Sequence, residues 1–295
     1  VLKLLCISVL LLAIDYIWIE ESKRKKVVAR DIHKPYEVFC PRIGALPNSL
    51  ILSLALISAG MGKEALISLY LLFIGLFDDV AGLKNMEKVL LAGIPFLIIE
   101  GHPVLFVPAF LFPIISFLFG SFSSNATNTL AGYNGLETGL ISIVSGFMAI
   151  VSVFQGNEAA LISYLIVLSC YLPFLFFNMY PARAFPGNAA TFQMGGVVAA
   201  IALSNGQEIP LGIMMIPYLA DFLLKMASFR STFRKIPASV DENGYISPPG
   251  NLSLAGVLLR IRKMREPQLV ISIYGIEAFS CIISLILLLS GFPAK

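Results

Sequence analysis

The chain has 295 residues, of which 57% are hydrophobic and 13% charged, with a mean hydropathy of +0.85. A soluble domain carries about a quarter charged residues, so the composition excludes an ordinary soluble protein, and the repeated long apolar runs exclude a singly anchored one. The net charge of +3 is too small to call for a nucleic-acid partner, and only its distribution is informative.

A helix that crosses a bilayer needs about 17 to 25 apolar residues. Ten such segments are predicted, at about 1–19, 45–62, 64–78, 88–100, 103–120, 139–155, 158–178, 190–205, 209–226 and 268–291. The fold class is therefore all-α and polytopic, one integral membrane domain over 1–295. The third and fourth segments are short, and Pro95 is expected to kink the fourth. No cleavage site follows the first segment, and the basic run Lys23–Lys26 does, so that segment reads as an anchor rather than a signal peptide. Between the spans, 20–44, 79–87, 121–138, 179–189 and 227–267 fall on one side. These regions and the adjoining helix ends hold 18 of the 21 basic residues, leaving only Lys3, Lys63 and Lys295 opposite. Basic residues favour the cytoplasmic side, which puts every long polar loop in the cytoplasm and both termini outside. In the last loop, Val240–Ile246 has hairpin chemistry with Asn243-Gly244 at the turn. Residues 252–264 read as a short amphipathic helix lying on the membrane or covering a substrate cleft.

Three polar stretches interrupt the apolar chain. Asp78-Asp79 close the third span, as helix-end charges, as a general base or as a cation-linked pair. Lys88 follows nine residues after Asp79, as a snorkelling side chain or a phosphate ligand. The run NATNTLAGYNGLE, 125–137, reads as a loop in which Asn125, Asn128 and Asn134 offer oxygens and amides. Unpaired polar groups cost several kcal/mol in hydrocarbon, so this loop must face water, a substrate or a metal. Glu137 is placed to cap the next helix. In NMYPARAFPGN, 178–188, Arg183 is a candidate phosphate clamp and Phe185 a candidate stacking ring or interfacial aromatic. Gly187-Asn188 precede a helix start that favours an anion. Cys6, Cys40, Cys170 and Cys281 are widely spaced and read as packing residues. His33 and His102 do not by themselves make a zinc site. The whole set suggests phosphoryl chemistry at a membrane surface. A transporter, whose polar groups gather at the midplane, fits less well. Asp221 with Lys225 one turn on is the only charged pair inside a span.

FDDVAGLKNMEK (77–88), NATNTLAGYNGLETG (125–139) and NMYPARAFPGN (178–188), in this order, resemble the polyprenyl-phosphate N-acetylhexosamine-1-phosphate transferases over nearly the whole chain. The type most similar is the eukaryotic and archaeal enzyme that starts lipid-linked oligosaccharides for N-glycosylation. The resemblance implies transfer of a sugar-1-phosphate, GlcNAc-1-phosphate, from a UDP-sugar to a polyprenyl or dolichyl phosphate. It also implies Mg²⁺ (or Mn²⁺) and a homodimer, while the short external loops and the lack of a eukaryotic targeting signal fit an archaeal or other prokaryotic plasma membrane. By matching motif, Asp78 and Asp79 are the base or the substrate organisers, and Lys88 holds phosphate. Asn128 is a metal ligand, and Asn134 and Phe185 meet uridine. One position departs: Asn188 stands where the family carries an aspartate metal ligand, which leaves an impaired or non-catalytic binder as the alternative. Met264-Arg265-Glu266 occupies the place of a diphosphate-binding motif, with Arg265 as candidate sugar-phosphate contact.

Overall fold

The structure, a computed structural model, describes residues 2–102, 104, 107–228 and 238–291. Arg230, Arg234, Lys235 and Lys295, counted above among the basic residues, lie outside these. The chain begins with helix α1 (Leu2–Arg24), followed by a small antiparallel ribbon of β1 (Val28–Arg30) and β2 (Phe39–Pro41). Then come α2 (Leu46–Ser58), α3 (Gly62–Ala81), α4 (Asn85–Gly93), α5 (Phe112–Thr129), α6 (Leu136–Phe154), α7 (Glu158–Asn178) and α8 (Asn188–Ser204). Helices α9 (Glu208–Met214) and α10 (Ile216–Ala227) are followed by β3 (Ser239–Val240), β4 (Tyr245–Ser247), α11 (Leu254–Ile261), β5 (Met264–Arg265) and α12 (Glu266–Leu289).

Among the described residues, five helical segments are long and apolar enough to cross a membrane: α1, Ala109–Thr129, α6, α7 and α12. Helices α9 and α10, bent by 56° at their junction, make a sixth if they are one span. Length and hydropathy thus support five or six spans by themselves and leave the ten expected unconfirmed. Apolar α2 has 13 residues and α8 has 17. Helix α4 has nine residues and passes at Ile94-Pro95 into a 3-10 turn, where proline removes a helical donor.

The central element is α8, whose residues Ala189 to Leu203 are all buried. Its closest approaches need glycine. A Cβ on Gly75 of α3 would overlap the Asn188 carbonyl and come within 2.6 Å of the Ala189 Cα; one on Gly196 would overlap Leu71. Midway along α8, Gln193 donates to Ser49 O (3.0 Å), Ser53 Oγ (3.1 Å) and Ser68 Oγ (2.8 Å), and accepts from the Tyr171 hydroxyl at 2.5 Å. This one amide joins α2, α3, α7 and α8, and a buried polar group stays cheap only when its partners are complete.

The run 125–137 departs from its reading as a loop: Asn125 to Thr129 are the last turns of α5. The polar side chains bond back along their own helix, Asn125 Nδ2 to Ser121 O (2.8 Å), Thr127 to Ser123 O (2.9 Å) and Thr129 to Asn125 O (2.6 Å). Such i−4 bonds let serine, threonine and asparagine stay helical. The expected hairpin is present as β3–β4, with Gly244 at φ +81 and Asp241 Oδ1 accepting from the Asn243 and Tyr245 amides at 2.9 Å. Strand β5 adds a third strand that ends in Arg265. The amphipathic segment forms α11, shorter than 252–264. It is capped by Ser253 (3.0 Å to Gly256 N) and tied to α10 by Leu254 N to Asp221 (2.8 Å).

Gly75→Ala is expected to cost about 1–3 kcal/mol by overpacking. Gly146→Ala in α6, where a Cβ meets nothing within 4 Å, is expected to be neutral or to stabilise by up to about 1 kcal/mol. Melting curves of the two purified variants check the pair.

Candidate active site

Gly187 (φ +83) turns the chain into α8, and its missing Cβ leaves room for Arg42 O, Ile43 Cα and Asp79 Oδ2 within 3.2 Å. The first amides of a helix lack intrahelical partners and carry partial positive charge. Here Asp79 fills both roles: Oδ1 accepts from Asn188 N (3.1 Å) and Oδ2 from Ala189 N (3.0 Å). The anion expected at this helix start is the protein's own. Arg42 binds the Asp79 carbonyl at 3.1 Å.

Asp78, one residue earlier and 3% exposed along its side chain, turns to other partners. Its Oδ1 accepts from Leu83 N (2.8 Å); its Oδ2 accepts from Lys88 Nζ (2.6 Å) and from Asn188 Nδ2 (2.8 Å). Asn128 Nδ2 donates to Asn188 Oδ1 and to Thr191 Oγ1, each at 2.8 Å. Lys88, Asp78, Asn188 and Asn128 are thus one connected polar cluster.

A second cluster lies in the segment after β1. Lys34 Nζ, 2% exposed, sits between Asp31 Oδ2 (3.0 Å) and Glu266 Oε2 (2.6 Å), and 4.1 Å from the Tyr180 ring centroid. Asn134 is held twice, its main-chain N–H by Glu266 Oε1 (2.7 Å) and its Nδ2 by Asp31 Oδ2 (3.0 Å). The His33 and Tyr133 rings stack at 4.5 Å and 20°. Burial raises the Asp31 carboxyl, but bonds from Asn134 and Lys34 outweigh it and hold it below its usual value. Burial lowers Lys34, and Glu266 and Asp31 more than offset this, so its pKa is raised. Burial dominates at His33, which is pushed below its usual value despite nearby Asp31.

These parts meet around a cavity of about 440 Å³ whose lining includes Asp79, Asn134, Glu137, Phe185 and Asn188. Asp78, Lys88 and Asn128 stand behind Asn188. Glu137 lies in the first turn of α6 but does not cap it; its carboxylate accepts from Gly132 N at 2.8 Å and closes the loop at the cavity wall. Three further candidates also lie outside this lining. Asn125 is turned to its own helix and to Lys88 O (3.4 Å), Arg183 is exposed with its guanidinium 5.2 Å from the Phe176 ring, and Arg265 sits 5.2 Å from the Tyr245 ring. Arg265 borders a neighbouring cavity of about 510 Å³ with His33, Tyr36, Tyr180 and Glu266. Asp31, His33, Lys34, Arg42 and Glu266 were missed as site residues. The signals were the charged stretch Arg30–Lys34 in a chain poor in charge and, for Glu266, its place beside Arg265 in the last loop.

The donors near Asn188 suit a hard cation in kind, since Asp78, Asp79, Asn128 and Asn188 all offer oxygen. Among the described residues no hydrogen bond reaches Asn128 Oδ1. The electrostatic hold is weak, however: Lys88 already neutralises Asp78, and Asn188 brings no charge. Asp31, His33 and Glu266 also offer atoms within 4.8 Å of one another, but the Lys34 ammonium takes the cation's place between the carboxylates.

The arrangement is that of a membrane-embedded protein with a polar cavity lined by carboxylates, amides and the arginines Arg30 and Arg42. The chain belongs to glycosyl transferase family 4, whose description matches residues 64–206, a stretch that runs from α3 through α8. It is 34% identical over 277 residues, 87% of this chain and 86% of the relative, to a Methanocaldococcus jannaschii protein named as a glycosyltransferase. It is 30% identical over 311 residues, 95% of this chain and 94% of the relative, to a Saccharolobus solfataricus protein named as a UDP-N-acetylglucosamine–dolichyl-phosphate N-acetylglucosaminephosphotransferase. A phospho-N-acetylmuramoyl-pentapeptide-transferase of Staphylococcus carnosus is 34% identical over 116 residues, 38% of this chain and 36% of the relative.

Asn188→Asp is expected to raise Mn²⁺ affinity at least about tenfold, since one close added charge in a partly dry site is worth more than about 1.4 kcal/mol. Paramagnetic resonance of Mn²⁺ titrated into the substrate-free protein checks this. A histidine whose folded pKa is lowered binds its proton more readily when unfolded. Stability is therefore expected to fall as pH drops below the usual histidine value of about 6.5. Melting scans of His33→Gln between about pH 5 and pH 8 are expected to show a smaller fall over this window.

Proposed function

We propose that this chain transfers a sugar-1-phosphate, GlcNAc-1-phosphate, from a UDP-sugar to a polyprenyl or dolichyl phosphate and releases UMP. The observation that carries the reading is the Lys88–Asp78–Asn188–Asn128 cluster against the cavity wall made by Asp79, Asn134 and Phe185. The names of the relatives support the substrates. In this reading an oxygen of the lipid phosphate forms a bond to the sugar-bearing phosphorus, and the bond from that phosphorus to the oxygen of UMP breaks. No proton need leave a fully ionised phosphate, so the residues act chiefly by placing and neutralising charge. Lys88 is the cation that meets phosphate, and Asp78 orients it. Asp79 holds the start of α8 in place. Asn134 and Phe185 meet the base, with Asn125, Glu137, Arg183 and Arg265 at the margins. Asn128 and Asn188, with Asp78, would hold Mg²⁺ or Mn²⁺, which supplies charge neutralisation on the diphosphate when bound.

The lipid has a natural approach, because Lys88 is flanked by the exposed apolar Met86, Val89 and Leu90. The finer topology proposed has about ten crossing segments, counting α2, α3, α4 with its 3-10 turn, and α8. The cavity is then cytoplasmic in a prokaryotic plasma membrane, both termini are external, and the loop read at 227–267, of which 229–237 lie outside the described residues, covers the site of a single transferase unit. A homodimer completes the proposal. Asn188 favours one second reading, a relative that binds UDP-sugar without turning it over.

Purified protein given labelled UDP-GlcNAc, polyprenyl phosphate and Mg²⁺ or Mn²⁺ is expected to release UMP and form lipid-linked product in equal amounts. Asp78→Asn and Lys88→Met are each expected to lower kcat/KM by about 100-fold or more, the scale of losing an oriented charge at a transferring phosphoryl group. UMP binding without turnover selects the second reading. UMP release that ignores the lipid acceptor rules out the transfer.

A further inference from the structure

The Asn134 amide is held in one sense. Asp31 Oδ1 accepts from His33 N at 3.1 Å, and its Oδ2 accepts from Lys34 (3.0 Å) and Asn134 (3.0 Å). An ionised carboxylate only accepts, so the nitrogen end of the Asn134 amide must be the end that faces it. Glu266 fixes the main chain of the same residue at 2.7 Å, and Lys34 counters both carboxylates. Asn134 lines the cavity, and among the described residues no hydrogen bond reaches its Oδ1.

An unrestrained carboxamide can turn over and present either end. It can therefore match uracil, with a donor at N3 and an acceptor at C4, or cytosine, with an acceptor at N3 and a donor at C4. These are the same pattern reversed, and an amide that cannot turn matches only one of them.

We propose that Asp31 sets the base selectivity of this site. By pinning Asn134 with Oδ1 outward, it admits a pyrimidine that donates from N3 and disfavours one that accepts there. The inference rests on the reading of a UDP-sugar as substrate and extends it to a residue outside the three motifs. Asp31 is a positioning residue acting through Asn134. The adjoining His33–Tyr133 stack gives the loop pair a rigid backing.

The test is calorimetric binding of UMP, CMP and 3-methyl-UMP to the full chain in detergent. The native protein is expected to bind UMP at least about tenfold more tightly than either analogue, since a site that bonds a ligand N–H discriminates against ligands lacking it. Asp31→Asn offers Asn134 both a donor and an acceptor, freeing the amide to turn. The UMP-to-CMP ratio is expected to shrink to within about threefold, while Lys34 keeps its Glu266 partner. A ratio unchanged in a folded Asp31→Asn protein, or equal binding of UMP and 3-methyl-UMP by the native chain, overturns the inference and leaves the transferase reading standing. Binding of no nucleotide defeats both. The 3-methyl-UMP arm needs no substitution, so it decides even if Asp31→Asn does not fold.

Discussion

The start of α8 is the constraint on which the rest of the site depends. A helix buried along its whole length cannot leave its first amides to water, and in a low-dielectric interior their partial charge calls for an anion. Asp79 provides it at 3.0–3.1 Å. That contact exists only because two glycines let the backbones approach, Gly75 on α3 and Gly187 before α8. Once Asp79 is docked, the neighbouring Asp78 must point elsewhere around α3, and it turns to Lys88 and Asn188. One carboxylate sets the architecture, and the next sets the chemistry.

The same economy governs the second cluster. Lys34 is buried between two carboxylates and links the segment after β1 to the first residue of α12. A buried ion pair gives little net stability, but removing one partner leaves an uncompensated charge, at a cost of about 3–5 kcal/mol. Such a group specifies geometry more than it adds stability. Here the geometry it specifies is that of Asn134, a residue on a different segment.

Apolar runs located most of the helices, because such runs report burial in lipid and protein alike, but the segment expected at 103–120 is α-helical from Phe112 and runs on to Thr129. They could not report span length: α4 stops after nine residues and α9 bends into α10, and both are set by local backbone events within apolar sequence. Asn125–Thr129 looked like a loop because polarity usually marks one, but bonds to the carbonyl four residues back keep it helical. The three motifs offered Asp78, Asp79, Lys88, Asn128, Asn134 and Asn188 as candidates, and the structure brings these residues to the two polar clusters and the cavity wall. Lys34 and Glu266 are 232 residues apart, and no local pattern announces such a pair. Arg183 was read from its motif and Arg265 from the place of a diphosphate-binding motif, and each guanidinium lies 5.2 Å from an aromatic ring, outside the lining of the 440 Å³ cavity.

Asn188 is where the two halves of the site meet, and its chemistry resolves a conflict that an aspartate would create. Its Nδ2 lies 2.8 Å from Asp78 Oδ2. A carboxylate oxygen in that place would set like charges in contact, and only a cation or a proton between them would relieve the repulsion. The amide donates instead, so Asp78 Oδ2 and Asn188 Oδ1 find protein donors: Lys88 and Asn188 on Asp78, and Asn128 on Asn188. The site has one negative charge fewer with which to hold an ion than it would with an aspartate there. For a transfer governed by charge neutralisation, that exchange moves weight onto Lys88, the one ammonium bonded to this cluster among the described residues.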